Sequence, residues 1–194
     1  MAMTNEELMQ ILTETGAYQS GHFKLSSGLH SANYIQCSQL LKFPRVAEKV
    51  CSEIAELFKD DNIEMVVGPA IGGILVAYEV GRALNVPAIF AERENGVMTL
   101  RRGFHVEPGT RCLVTEDVLT TGGSAQEVVE LLQSQGAEVV SATSIIDRTP
   151  GNTLKLKVPF KSLIQLTFPT YQPDECPMCK EGQPIQKPGS RPGI

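Results

Sequence analysis

The apolar positions of this chain follow two patterns: short unbroken runs, and stretches in which apolar residues recur every three or four positions. Four short runs are predicted strands: Met65–Gly68, Pro87–Glu92, Arg111–Glu116 and Glu138–Asp147. Helical spacing lies between them, near Gly73–Leu84 and over Ser124–Gln135. Strands that alternate with helices form parallel sheets covered on both faces, so the pattern predicts an α/β fold with a doubly wound parallel sheet.

The two ends of the chain break this alternation. Thr4–Thr15 and Pro44–Asp60 have helical spacing, whereas the segment after Pro150 mixes one predicted strand, Leu163–Phe168, with proline-rich coil. Two short strands are predicted near the N-terminus: Phe23–Leu25 and Asn33–Gln36. A chain of 194 residues has the size of one domain. We therefore expect a single domain with a core at about 44–150 and a small hood from about 1–43 and 151–194.

The segment 93–109 also interrupts the alternation and predicts a hairpin. Its turn would lie at Glu94–Gly96, followed by a strand over Met98–Phe104 that carries Arg101 and Arg102. A hairpin of this length can reach beyond the domain that carries it.

The charge balance argues against several kinds of partner. The chain has 17 Lys and Arg against 22 Asp and Glu, a net charge of −5, and the basic residues are scattered. This distribution argues against nucleic acid as a partner. No stretch approaches the roughly 20 apolar residues of a membrane span, and the first ten residues are polar, unlike a secretory signal. We expect a cytoplasmic protein without a membrane partner.

The five cysteines are few and odd in number. Cys37, Cys51 and Cys112 lie within apolar patterns, where a free thiol packs as a small apolar side chain. Cys176 and Cys179 form a C-P-M-C pair, but the sequence shows no second pair or nearby histidine to complete a zinc site. Three interpretations are left open: a tight turn in the tail, a redox-labile pair, and a zinc site shared between subunits.

The run Val114–Ser124 carries the strongest chemical signal. It joins the end of a strand to two carboxylates, Glu116 and Asp117, and then to a loop of small residues before a helix. The free N–H groups of a first helical turn attract anions, and Gly122 and Gly123 let a phosphate approach the backbone. Hydroxyl donors come from three residues of the loop: Thr120, Thr121 and Ser124. The two acids suit sugar hydroxyls or a divalent cation better than phosphate.

A plainer interpretation is that this loop is a helix cap and the acids a solvated strand end. A cap needs one Ser or Asp, whereas this run places two acids at the carboxyl end of a strand, where open parallel sheets bind ligands. The lysine of a Walker loop is absent and no G-x-G-x-x-G opens a helix. The run therefore predicts a sugar-phosphate site.

The run resembles the phosphoribosyl diphosphate (PRPP) signature of type I phosphoribosyltransferases. Four further segments resemble one branch of that family, the orotate phosphoribosyltransferases: GHFKLSSGLHSANYIQ at Gly21–Gln36, GPAIGGI at Gly68–Ile74, FAERENG at Phe90–Gly96, and Ile146–Arg148. The likeness runs from about Gly16 to the tail, nearly the whole chain.

This resemblance implies two substrates and a metal. PRPP would contact ten residues: Glu116, Asp117, Val118, Leu119, Thr120, Thr121, Gly122, Gly123, Ser124 and Arg93. Orotate would lie against Thr120, Arg148, Ser26, Ser27 and Gly28. Mg²⁺ would be held mainly by PRPP oxygens and water, with no protein ligand. The implied reaction gives orotidine 5′-monophosphate and pyrophosphate, in the synthesis of UMP, and the implied assembly is a homodimer with shared active sites.

The chain departs from the family pattern where catalytic lysines are expected. Ser26 and Gly72 stand at two such positions, and the mobile loop has arginines in place of its lysine cluster. We hypothesise that Arg93 of one subunit and Arg101 or Arg102 of its neighbour neutralise pyrophosphate. Together with Asp117, these three arginines are the predicted catalytic residues.

Two other functions fit parts of the pattern. The PRPP signature does not select the acceptor base, so a purine phosphoribosyltransferase is the nearest rival. A PRPP-sensing regulator that binds nucleic acid would need a basic face or a helix-turn-helix segment, which the sequence does not suggest. For Arg148, the alternative to a ligand contact is a surface salt bridge with Asp147.

Overall fold

The structure is a computed structural model that describes residues 3–149 and 156–188. Its helices are α1 Asn5–Glu14, α2 Ser38–Leu41, α3 Pro44–Glu56, α4 Gly72–Leu84, α5 Gly123–Ser134 and α6 Pro177–Lys180. Its strands are β1 Tyr18–Lys24, β2 His30–Ile35, β3 Met65–Pro69, β4 Ala88–Glu94, β5 Val97–Thr99, β6 Arg111–Leu119, β7 Glu138–Asp147, β8 Phe160–Gln165 and β9 Thr170–Tyr171.

The large sheet has six strands in the order β5-β4-β3-β6-β7-β8. All neighbours are parallel except β4 and β5, which form an antiparallel hairpin. Successive residues of β6 point to opposite faces: Leu113 joins the apolar cluster of α3 and α4, whereas Cys112 and Val114 join that of α5. The sheet is thus covered on both faces, and the predicted α/β class is confirmed.

Local sequence accounts for the helix boundaries. At α1, the Thr4 hydroxyl accepts a hydrogen bond from the Glu7 amide at 3.1 Å, and the Glu7 carboxylate accepts one from the Thr4 amide at 2.8 Å. Pro44 starts α3, where its missing N–H costs nothing. Asn85 ends α4 in the left-handed region, at φ 58°. The helix predicted over Pro44–Asp60 is confirmed in place, but its α-helical part stops at Glu56.

Strand β6 is longer than predicted. It pairs with β7 through Glu116↔Ser144 and on to Leu119↔Asp147. The two acids of the run therefore lie within a strand, not after its end, and the predicted phosphate loop begins at residue 120. The sequence concealed this because Glu and Asp are uncommon in strands.

The hairpin after β4 is shorter than predicted. Its turn lies at Asn95 and Gly96, as expected, but β5 covers only Val97–Thr99. Arg101 and Arg102 belong to a turn closed by the hydrogen bond from the Phe104 amide to the Arg101 carbonyl at 2.9 Å, with Arg102 at φ 59°. The predicted strand Met98–Phe104 is wrong, because a left-handed residue cannot continue a strand.

A second sheet joins the two ends of the chain, with strand order β1-β2-β9. Gln186 extends it, since its amide donates to the His22 carbonyl and its carbonyl accepts from the Lys24 amide, both at 2.8 Å. Strand β8 begins three residues earlier than predicted and extends the large sheet instead.

The Cys176 and Cys179 pair lies at the start of α6, against this small sheet. The sequence predicted no histidine nearby, and that prediction is wrong: His22 of β1 and His30 of β2 lie beside both thiols. Docking of the tail on the β1–β2 hairpin brings them together.

Among the helices of the described residues, none is both long and apolar enough to cross a membrane.

Candidate active site

A cavity of about 440 Å³ opens where β6 ends and α5 begins. It is lined by Ser26, Ser27, Arg93, Glu116, Val118, Leu119, Thr120, Thr121, Gly122, Gly123, Ser124, Ala125 and Glu127. The turn between β1 and β2 therefore reaches the carboxyl edge of the large sheet. The cavity gathers most of the predicted site residues, which come from three separate segments.

The predicted phosphate loop, Thr120–Ser124, lines the cavity. Gly122 adopts a left-handed conformation at φ 73° and starts the turn into α5. The first intrahelical bond of α5 runs from the Gln126 amide to the Gly122 carbonyl, at 2.8 Å. The amides of residues 123–125 precede it and have no intrahelical acceptor, so they are available to an anion.

Glu116 and Asp117 form a half-buried pair of carboxyl groups beside this loop. Burial raises the pKa of Glu116 well above its ordinary value, and the neighbouring Asp117 raises it further. Burial also raises the pKa of Asp117, against a hydrogen bond from the Val118 amide at 2.8 Å that lowers it. Such a pair holds a proton readily, and it favours a ligand that brings hydroxyl groups or positive charge.

Gly72, the first residue of α4, leaves the space that the Asp117 carboxyl group occupies. A Cβ atom at Gly72 would lie 2.7 Å from the Asp117 carboxyl atoms. A lysine at this position would therefore displace Asp117, which explains in physical terms why this chain has glycine there.

Arg148 follows β7 next to the end of β6, and its amide donates to the Leu119 carbonyl at 2.8 Å. Its guanidinium lies 4.8 Å from the centre of the Phe168 ring. Within the described residues its buried Nε has no hydrogen-bond partner, and burial lowers the pKa of Arg148. A charged, unsatisfied donor group held in this way is poised for an anionic ligand.

The predicted alternative for Arg148 is not observed. The Asp147 carboxylate accepts instead from the Thr149 amide at 2.8 Å and from Gln165 Nε2 at 2.9 Å. Asp147 therefore stabilises the chain after β7, and it does not pair with the guanidinium of Arg148.

The arginines of the hairpin segment separate into two groups. Arg93 lines the cavity and forms a two-point ion pair with Glu127, with 2.8 Å between its Nη2 and the Glu127 Oε1. Arg101 and Arg102 do not line the cavity. They pair with Glu92 and Glu94 on the outer edge of the sheet, at distances of 3.1–3.9 Å.

Comparison with known proteins agrees with this geometry. A family model described as phosphoribosyl transferase domain matches residues 36–170. An orotate phosphoribosyltransferase of Caldicellulosiruptor saccharolyticus is 50% identical over 97% of this chain and 98% of its own length. One from Thermotoga maritima is 53% identical over 95% of this chain and 98% of its own length. The chain belongs to the orotate phosphoribosyltransferase family.

A solved structure supports the same assignment. The crystal structure of orotate phosphoribosyltransferase from Aeropyrum pernix is 28% identical, with a TM-score of 0.67, over 82% of this chain and 93% of that one. As a member of this family, the protein is an enzyme of the pentosyltransferase class.

The site contains two residues that the sequence analysis did not predict. Glu127 holds Arg93, and its signal was present: it lies one helical turn after Gly123, on the side of α5 that faces the loop. Phe168, under the Arg148 guanidinium, left no comparable signal because it is 20 residues away and reaches the site only through the tail.

Proposed function

We propose that this enzyme transfers the phosphoribosyl group of PRPP to orotate, releasing pyrophosphate and giving orotidine 5′-monophosphate for UMP synthesis. The carrying observation is one cavity lined by the loop Thr120–Ser124 and by Glu116, whose neighbour Asp117 lies beside it, together with the unsatisfied Nε of Arg148 after the adjacent strand. In the reaction the bond from the anomeric carbon to pyrophosphate breaks as a bond to an orotate ring nitrogen forms, and that nitrogen loses its proton to solvent.

The 5-phosphate of PRPP binds the loop Thr120–Ser124. Three amides at the start of α5, three hydroxyl groups and the absence of side chains at Gly122 and Gly123 support this placement. The ribose hydroxyls then meet Glu116 and Asp117, which accept their hydrogens. Val118 and Leu119 supply the apolar wall between the two subsites.

Orotate binds between Arg148 and the turn Ser26–Gly28, with Thr120 at its edge. The planar guanidinium suits a carboxylate because it donates two parallel hydrogen bonds. Ser26 and Ser27 line the same cavity as the loop Thr120–Ser124. The small sheet that carries this turn acts as a hood, which keeps water from the reacting carbon.

Mg²⁺ would enter the site bound to PRPP. The charged side chains that line the cavity among the described residues are Glu116, Glu127 and Arg93, and Arg93 is already paired. Such a lining would repel a diphosphate that arrives without a cation. Oxygen ligands from PRPP, with retained water, suit Mg²⁺, which would stabilise the leaving pyrophosphate.

The transition state carries positive charge on the ribose. Asp117 stabilises that charge from the strand side. Arg93 exchanges Glu127 for pyrophosphate oxygens, and Arg101 or Arg102 of a neighbouring subunit supplies further positive charge. Their position at the sheet edge, outside their own cavity, supports a role across a subunit boundary.

A homodimer is consistent with the surface of α4. Ile71, Leu75 and Tyr78 lie at spacings of four and three residues on one face, and they are 82%, 49% and 63% exposed. A second copy of the chain that covers this apolar stripe would remove it from solvent. We also expect a cytoplasmic enzyme, because the five cysteines are free and a reducing compartment keeps thiols in that state.

The decisive experiment follows orotate absorbance when the purified protein is mixed with orotate, PRPP and Mg²⁺. We expect consumption of orotate that requires both PRPP and the metal. Adenine, xanthine and uracil, tested in parallel, should give no nucleotide product. Turnover of adenine or xanthine instead of orotate would contradict the proposal and indicate a purine enzyme.

A further inference from the structure

Four metal-binding side chains converge on one point of the small sheet, away from the PRPP cavity. His22 of β1, His30 of β2, Cys176 and Cys179 present ligand atoms that all lie within 4.8 Å of one another. His22 and Cys176 are 2% and 0% exposed, His30 is 5% exposed, and Cys179 borders solvent. We propose that these residues form a structural zinc site that fastens the C-terminal tail to the β1–β2 hairpin.

The distances fit a tetrahedral zinc ion. Zinc bonds of about 2.0–2.1 Å to nitrogen and about 2.3 Å to sulfur place the ligand atoms about 3.3–3.8 Å apart. His22 Nε2 lies 3.5 Å from Cys176 Sγ and 3.7 Å from Cys179 Sγ. His30 Nδ1 lies 3.3 Å from Cys179 Sγ and 3.0 Å from His22 Nε2. For these four pairs the ligand atoms need to move by only a few tenths of an ångström, and the remaining pairs lie within 4.8 Å.

The surroundings of His22 prepare it as a ligand. Its Nδ1 lies 3.0 Å from the Gln183 carbonyl oxygen, which accepts hydrogen bonds and donates none. The hydrogen of the neutral ring is therefore on Nδ1, and the lone pair of Nε2 points toward the other three ligand atoms. Backbone carbonyls perform this orienting role for metal-bound histidines in general.

The donor set selects zinc and a structural role. Two thiolates and two imidazoles in a tetrahedral arrangement suit zinc, whereas magnesium and calcium require oxygen ligands. Four protein ligands fill the coordination sphere and leave no position for a substrate. The site is thus of the closed kind.

The location explains what the metal stabilises. His22 and His30 flank the turn that carries Ser26 and Ser27, so the ion lies at the base of the segment that covers the PRPP cavity. The tail adds few other contacts there: Gln186 makes two backbone hydrogen bonds to β1, and β9 pairs with β2 over two residue pairs. A metal that joins β1, β2 and α6 would hold the hood in place without entering the reaction.

The test measures bound metal in the full-length protein, purified under reducing conditions and without a histidine tag. We expect about one zinc per chain by inductively coupled plasma mass spectrometry. The double variant Cys176→Ser/Cys179→Ser, and separately His22→Gln, should retain less than about a tenth of that content. The matched controls Cys51→Ala and His105→Gln remove the same residue types elsewhere and should keep their zinc.

A second measurement requires no variant and so does not depend on whether the variants fold. Cobalt introduced into the metal-free protein should give the strong visible bands of a tetrahedral ion and the charge-transfer absorption of thiolate ligands. Zinc removal should also speed hydrogen exchange of the Lys24 and Gln186 amides by about tenfold or more.

Three results would overturn the proposal. They are a zinc content no higher than that of the double variant, a cobalt spectrum without thiolate absorption, and iron as the bound metal. A Cys176–Cys179 disulfide in the reduced preparation would equally exclude the site. None of these measurements involves turnover, so the zinc site can fail while the proposed reaction stands, and the reverse.

Discussion

The PRPP cavity and the His22–His30–Cys176–Cys179 cluster are assembled in opposite ways. Most of the cavity lining comes from one run of the chain, Glu116–Ser124, where one strand turns into one helix. The cluster combines side chains up to 157 positions apart, which meet because the tail docks on the β1–β2 hairpin. The first is a product of local backbone geometry and the second of long-range packing.

This difference shows which kinds of site can be predicted from a sequence: those built from consecutive residues, rather than those assembled from distant segments. A phosphate loop of consecutive residues can be recognised from its own sequence, because its amides and hydroxyl groups need only a strand before them and a helix after them. A four-ligand metal site has no local signature when its halves lie at opposite ends of the chain, even though its C-P-M-C half is conspicuous. The following experiments test how independent the two regions are.

The acid pair should be the most sensitive part of the cavity. Asp117→Asn removes the negative charge beside the cationic ribose, and we expect kcat to fall by about 100-fold or more. Glu130→Gln, which changes an exposed carboxylate on α5 paired with Lys157, is the matched control. Equal losses in both variants would mean that the charge of Asp117 has no special role.

Arg148 tests whether the cavity extends beyond its contiguous core. Loss of a buried charge partner costs about 2 kcal/mol or more, so Arg148→Ala should raise KM for orotate by at least about thirtyfold. KM for PRPP should stay nearly constant. Arg82→Ala, which removes an exposed ion pair with Glu48 and Glu79, should change neither value. A selective rise in KM for PRPP would refute the assignment of Arg148 to orotate.

The outer arginines test whether a second subunit completes the site. The double variant Arg101→Ala/Arg102→Ala should lower kcat/KM by about tenfold, since pyrophosphate loses part of its neutralising charge. Mixed dimers with Asp117→Asn chains should regain activity, because one site then combines an intact acid pair with an intact hairpin. Unchanged turnover in the double variant would show that these arginines only face solvent, and failure of mixing would place their action within one chain.

Metal removal tests the independence of the two regions directly. Removal of zinc by a chelator should make the β1–β2 hairpin more mobile and raise KM for orotate by about threefold. The reason is that Ser26 and Ser27, which line the cavity, lie in the turn of that hairpin. PRPP affinity, measured by calorimetry after Mg²⁺ is restored, should not change. A parallel loss of PRPP affinity would mean that the phosphate loop depends on the tail after all.

The smallest expected effect is the pH dependence of stability. The folded-state pKa of Glu116 is raised, so the native protein binds more protons than the unfolded chain between its ordinary value of 4.5 and the folded value. The stability that this group contributes is complete below the unfolded pKa and is lost as the pH rises through the folded pKa. Glu116→Gln should therefore flatten the decline in urea midpoint as the pH rises above the ordinary Glu pKa of 4.5. A parallel decline in both proteins would contradict the raised pKa.

Much of the fold and of the cavity was predictable because its determinants are local. Apolar periodicity predicted the parallel strands and the helices between them. The glycines and hydroxyl groups of the loop Thr120–Ser124 predicted an anion site there. The boundaries were less predictable: β6 runs through Glu116 and Asp117 because β7 pairs with it along its whole length. The turn at Arg101 and Arg102 was missed because a left-handed residue leaves no apolar pattern.

The sequence by itself thus determined the α/β alternation and the position of two acids beside a glycine-rich loop at a strand–helix junction, since periodicity and turn chemistry act within a few residues. Only the tertiary structure decided that Glu127 holds Arg93, that Gly72 makes room for Asp117, and that two histidines of a hairpin meet two cysteines of the tail. Those neighbours depend on strand order and on docking of distant segments. Packing forces fix that order over the whole chain, and no short stretch of sequence records it.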